Sequence, residues 1–252
     1  MTNNKVLEAN NLTLAWDGSI IVDDATLYLS DSEIVCLVGK SGCGKTTLFH
    51  ALAGLTIPVS GDIVLEGKSC VGDAGSISYM LQKDLLLPSR TIIDNVCLPL
   101  LIAGMSKTDA YAKANPLFDR FGLEGTQDKW PSQLSGGMRQ RAALLRTYLM
   151  DNRVVLLDEP FSALDALTRS EIRLWFCSMI KELGMSALLI THDVDEVVAL
   201  SDRIYVMRGN PSQHIPSTIA DCITIERKAG YEGFDLTPEF LDYKKQVLSL
   251  LS

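Results

Sequence analysis

The chain has 252 residues, with 31 Asp and Glu against 23 Lys and Arg and a formal net charge of −8. That length suits one large domain or two small ones, and 47% hydrophobic with 21% charged residues is ordinary for a soluble globular protein. The acidic balance excludes broad, nonspecific binding to nucleic acid or anionic lipid, which needs a basic surface.

Six cysteines (Cys36, Cys43, Cys70, Cys97, Cys177 and Cys222) are scattered without a C-x-x-C pair, so reduced core thiols are expected and not a metal or disulfide framework. No apolar run approaches the ~18 residues that cross a bilayer. The first residues lack the charged-then-apolar layout of a signal peptide. Any role at a membrane is therefore expected to run through a partner.

Short apolar runs alternate with helical patterns, which predicts an α/β fold with parallel strands. Ile34–Val38 is a compact apolar run ending at Gly39, and a helix is predicted over Thr46–Ala53. Between them Gly39, Lys40, Ser41, Gly42, Cys43, Gly44, Lys45 and Thr46 fit the P-loop pattern G-x-x-x-x-G-K-[ST] in its strand–loop–helix context. With Thr47 they form the candidate nucleotide-binding segment. Glycines at 39, 42 and 44 let backbone amides wrap around phosphate oxygens, and the helix start adds its positive end. Lys45 brings a full charge to the β- and γ-phosphates, and the Thr46 hydroxyl is a candidate magnesium ligand.

From about Asp84 to Met150 strand signals are few and helical ones several, predicting a helical subdomain inserted into the α/β body. Val154–Leu157 is then a buried-strand candidate that ends in two acids, Asp158 and Glu159. Acids at the C-terminal end of such a strand lie where open α/β sheets bind ligands. Asp158 can hold magnesium, and Glu159 can act as general base toward an attacking water.

Ile172, Trp175, Phe176, Met179, Ile180 and Leu183 recur at helical spacing and read as a stripe covering the sheet. The next apolar run, Ala187–Ile190, leads into His192, whose neutral imidazole could hydrogen-bond a γ-phosphate or hold the attacking water. From Gly209, with Pro211 and Pro216, the chain is expected to be irregular. Thr237 and Pro238 mark the start of a last helix whose face Phe240, Leu241, Val247, Leu248 and Leu251 should dock on the domain.

The run Leu134-Ser-Gly-Gly-Met-Arg-Gln-Arg141, after the P-loop and before Asp158, resembles the signature of ATP-binding-cassette (ABC) ATPases. Ser135, Gly136 and Gly137 open another helix, a second anion-binding N-terminus. The resemblance implies that this element reaches ATP bound by an opposite subunit, so that nucleotide is sandwiched between two copies. It implies further that Trp16, 29 residues before Lys45, stacks on adenine. Gln82 then touches magnesium and links the site to the helical subdomain, and Ser162–Asp165 crosses the dimer interface.

The runs ending at Pro88, Arg141 and Arg169 resemble importers of the nitrate, sulfonate and taurine group, with relatives taking up thiamine precursors. The architecture implied is a RecA-like core, an N-terminal antiparallel β subdomain and the helical insertion, with residues 1–213 as the ATPase domain and 214–252 as a short extension. ATP and Mg2+ are the implied cofactors. The implied partners are a second copy of the chain, transmembrane permease subunits near Gln82–Val96 and, indirectly, an external solute-binding protein. The implied place is the cytoplasmic face of the cell membrane. A non-transport ABC ATPase acting on nucleic acid or translation is the alternative; a single cassette, no heptad run and an acidic charge stand against it.

Overall fold

The computed structural model describes residues 4–161, 166–227 and 233–251, with the backbone alone over 166–171. Strands β1 (Lys5–Trp16) and β2 (Ser19–Ser30) pair antiparallel. Asp17 and Gly18 close the hairpin with both φ positive, at 48° and 76°, as a primed two-residue turn requires. Strand β3 (Ile34–Gly39) leads through the P-loop into helix α1 (Lys45–Leu52). Strand β4 (Ser60–Leu65) pairs with β1 and with the short β5 (Lys68–Ser69), completing the antiparallel subdomain.

Strand β6 (Ser78–Met80) precedes the helical insertion, which comprises α2 (Ile92–Val96), α3 (Leu98–Ile102), α4 (Lys107–Arg120) and α5 (Gly136–Tyr148). Side chains start three of these helices: Thr91, Ser106 and Ser135 accept hydrogen bonds from the amides of Asp94, Asp109 and Met138. Strand β7 (Val154–Asp158), helix α6 (Ala166–Glu182), strand β8 (Ser186–Ile190) and helix α7 (Val194–Leu200) return the chain to the sheet. Strand β9 (Arg203–Asn210), strand β10 (Ile215–Thr224) and helix α8 (Pro238–Leu251) complete it.

The strand order is β5-β4-β1-β2-β10-β9-β3-β8-β7-β6. Strands β9, β3, β8, β7 and β6 run parallel. Both faces of this parallel half are covered, which is why its strands read as unbroken apolar runs. Val35, Leu37, Leu156 and Leu188 pack toward Leu48 and Phe49 of α1. Cys36, Val38, Val155, Leu157 and Leu189 face the opposite core, which holds Phe118 and Phe121 of the insertion and Ile172, Phe176 and Ile180 of α6. The stripe on α6 is therefore core, as its spacing predicts.

Two expectations need correction. The stretch after Gly209 is not irregular throughout: β10 pairs antiparallel with β9 along most of its length. Pro216 is tolerated because it lies within a register shift between Ile215 and Thr218, where its missing N–H breaks no ladder bond. Helix α8 docks, but through Phe240 and Val247, with Tyr243, Leu250 and Leu251 partly buried. Leu241 and Leu248 stay about half exposed, at 54% and 46%. The rotation is set by Phe234, whose ring meets Phe240 edge-on, and by a Lys244–Asp195 ion pair of 2.5 Å to α7.

Among the cysteines, all free, five are buried and Cys222 on β10 is exposed. Among the described residues no helix is long and apolar enough to cross a membrane.

Candidate functional site

The P-loop is held in its curl by what lies beneath it. A Cβ on Gly39 would come within 2.7 Å of both the Cys43 sulfur and the Met207 carbonyl, so only glycine fits. Gly44 is at φ 94°, and a Cβ there would stand 2.8 Å from Ile21. No side chain caps α1 at Gly44, which leaves the amides at its start open toward a ligand. The Lys45 ammonium donates to the carbonyls of Gly39 at 2.8 Å and Lys40 at 3.1 Å, across the mouth of the loop.

Asp158 ends β7, two strands away from the P-loop strand. Its Oδ2 accepts from the Thr46 hydroxyl at 3.2 Å and from the Tyr79 hydroxyl at 3.4 Å. Burial pushes the Asp158 carboxyl up, the Thr46 hydrogen bond opposes this, and the adjacent Glu159 adds to the rise. The two oxygens are hard donors suited to magnesium, which takes few protein ligands and fills its octahedron with water and phosphate. Among the described residues no group of three or more His, Cys, Asp or Glu could hold a metal by itself. The Thr46 hydroxyl and the Asp158 carboxylate are the oxygens such a cation would meet here.

Glu159 turns the chain sharply, at φ 47° in the left-handed region, with its amide donating to the Ile190 carbonyl at 2.8 Å. A non-glycine residue is costly there and is held by its surroundings. Its carboxylate sits between two predicted residues. Gln82 Nε2 donates to Oε2 at 2.7 Å, and His192 Nδ1 lies 3.1 Å from Oε1. The His192 side chain is 67% exposed, so it reaches the site from the rim.

Trp16, Ser41, Gly42, Gly44, Lys45, Thr46, Thr47, Gln82, Asp158 and Glu159 line a single open cleft of about 770 Å³. Trp16, 67% exposed, lines it together with Ile21 and Pro211. Gly39 lies under the loop, while Lys40 and Cys43 are on its reverse side, beside Arg208 and the end of α8. Ser135, Gly136 and Gly137 are not brought to this cleft. They start α5, where the Ser135 hydroxyl accepts from the Met138 amide at 3.3 Å. Ser162–Asp165 lies outside the described residues.

Sequence reasoning missed Tyr79 and His50, which also line the cleft. His50 had a usable signal, since it lies one helical turn after Thr46 on the same face of α1. Tyr79 had none. The anchoring of the Gln82 loop was missed as well. Arg139 of α5 pairs with Asp84 at 3.2 Å, Arg146 donates to the carbonyls of Asp84 and Leu85 at 2.6 and 2.9 Å, and Gln140 donates to the Pro160 carbonyl. One helix therefore grips the loops that carry Gln82 and Glu159.

A RecA-like parallel core, a P-loop under an antiparallel subdomain, and a helical insertion make this a P-loop ATPase of the cassette type. The family model described as "ABC transporter" matches residues 22–162. The formylaminopyrimidine import ATP-binding protein of Halalkalibacterium halodurans is 41% identical over 208 residues, covering 82% of this chain and 81% of that one. The taurine import ATP-binding protein of Yersinia pestis is 36% identical over 208 residues, 82% of each. A solved ATP-binding cassette, described as dimeric and bound to ADP and phosphate after hydrolysis, shares the fold with a TM-score of 0.74 at 23% identity over 88% of this chain and 99% of that one. The chain belongs to the ABC transporter family and carries its ATP-binding ATPase domain.

Proposed function

We propose that this chain is the ATP-hydrolysing subunit of an importer for a small solute, working as a dimer of two copies docked on transmembrane permease subunits. The relatives named for import of formylaminopyrimidine and of taurine support the direction, and the dimeric solved neighbour supports the pairing. The domain that does this spans residues 1–213, with 214–252 as an extension that begins inside the sheet. The complex would lie on the cytoplasmic face of the cell membrane and receive solute from an external binding protein.

One observation carries the catalytic reading: the Glu159 carboxylate is fixed between Gln82 and His192 at the rim of the P-loop cleft. In that reading Ser41 to Thr47 wrap the phosphates, Lys45 leaves the loop carbonyls for the β- and γ-phosphates, and Trp16 stacks on adenine. Thr46, Asp158 and Gln82 would hold Mg2+, which neutralises phosphate charge when bound. Glu159 takes the proton of the attacking water, and His192 orients that water or the γ-phosphate. Ser135, Gly136 and Gly137 of the other copy close over the nucleotide. Because α5 grips the Gln82 loop, nucleotide-driven movement at Glu159 would pass into the helical subdomain and the permease contact near Gln82–Val96.

Glu159→Gln tests this. It should keep ATP affinity, cut turnover by about 10²–10⁴, the usual worth of a positioned general base, and trap an ATP-bound dimer in sedimentation. A Glu159→Gln protein that turns over ATP like wild type would overturn the assignment. Failure to co-purify with any membrane protein would overturn the transport role.

A further inference from the structure

Tyr79 has no role in the proposed chemistry, yet its hydroxyl reaches the acid at the centre of the site. Strand β6 is the edge strand, parallel to β7, with Tyr79 beside Leu156. Side chains two apart on a strand share a face, so Asp158, two residues beyond Leu156, lies diagonally ahead of Tyr79 on the α1 side of the sheet. The phenol spans that diagonal and approaches Asp158 Oδ2 to 3.4 Å. Its ring is steered from α1 by edge-on contacts with Phe49, at 6.2 Å and 73°, and His50, at 5.9 Å and 70°.

We propose that Tyr79 is a positioning residue for the metal-holding Asp158: with Thr46 it donates to Oδ2, fixing the carboxylate rotamer and leaving Oδ1 to face the cation or its water. This rests on the reading of Asp158 as the magnesium residue given above. Two hydroxyl donors on one oxygen leave the other as the stronger acceptor. Outer partners of this kind orient the atoms that touch a metal.

The test is the binding of a fluorescent ATP analogue to Tyr79→Phe, titrated with free Mg2+ and repeated in EDTA. Phenylalanine keeps the ring contacts with Phe49 and His50 and loses only the hydroxyl. The expected result is a half-saturating Mg2+ concentration raised about three- to tenfold, the loss of one hydrogen bond, with affinity in EDTA unchanged. An unshifted Mg2+ dependence would overturn the proposal. So would an equal loss with and without Mg2+, which would make Tyr79 only a wall of the cleft. Asp158→Asn separates the two readings. If it shifts the Mg2+ dependence and Tyr79→Phe does not, only the role of Tyr79 falls. If Asp158→Asn leaves the dependence unchanged, the metal assignment falls and Tyr79 with it.

Discussion

Two helix starts in this molecule use the same backbone chemistry in opposite ways. At α1 the N-cap is Gly44 and no side chain bonds the first amides, which open into a cleft shared with Lys45, Asp158 and Glu159. At α5 the N-cap is Ser135, its hydroxyl occupied by the Met138 amide, and Ser135, Gly136 and Gly137 are not among the described residues that line that cleft. In the function proposed, the first takes phosphate within one chain. The second is a self-capped helix whose ligand, in the function proposed, must come from another copy. A helix N-terminus alone does not say which case applies; the neighbouring side chains do.

The sharpest way to break this contrast is through Lys45. Lys45→Ala removes the charge spanning the P-loop mouth and should weaken ATP binding about 10- to 100-fold, since a charged hydrogen bond is worth about 1.5–3 kcal/mol. Ser135→Ala should leave the affinity of the isolated monomer for ATP unchanged while lowering turnover, because in the proposed dimer its helix start serves the other copy's nucleotide. Equal losses of affinity in the two variants, read by calorimetry, would show that the two helix starts do not differ as argued.

A smaller effect is expected at Trp16. Base–aromatic stacking is worth about 1–3 kcal/mol in nucleic-acid complexes, so Trp16→Ala should weaken ATP and GTP alike by about fivefold or more. Trp16→Phe should restore most of the loss. Titration with a fluorescent ATP analogue checks both, and a Trp16→Ala protein that binds like wild type would move the adenine elsewhere.

Ser135→Ala also carries a stability effect that Gly44 cannot match, because α1 has no cap to lose. Loss of an N-cap costs about 1 kcal/mol, which in a chain of this size lowers Tm by about 2–4 °C. Calorimetric melting without nucleotide reads it.

The smallest effect concerns Asp158. Its carboxyl is raised in the folded state, mainly by burial, so the folded protein holds that proton more tightly than the unfolded chain does. The stability linked to that proton is present below the unfolded carboxylate range and lost as pH rises through the folded value. Asp158→Asn should therefore raise Tm at neutral pH in the absence of Mg2+. The gain should shrink on acidification, because wild type then recovers its proton. A Tm difference that does not change with pH would contradict burial as the cause.

Features that depend on near neighbours along the chain were legible before folding. The glycines and Lys45 of the P-loop, the acids that end β7 and the stripe on α6 follow from spacing, because a turn, a strand end and a helical face are each fixed within a few residues. Tertiary structure alone decided what crosses strands. Tyr79 meets Asp158 across 79 residues only because β6 pairs with β7 in that register. Gln82 and His192 converge on Glu159 from different segments of the chain, and Glu159 takes a left-handed turn that no local pattern announces. The proline-bearing stretch after Gly209 became strand β10 because β9 offered an edge and a register shift absorbed Pro216. Helix α8 was legible as a helix, but which of its faces docked was chosen by Phe234 and α7. Local rules act through bonds and turns; these outcomes turned on which surfaces the folded sheet left to be covered.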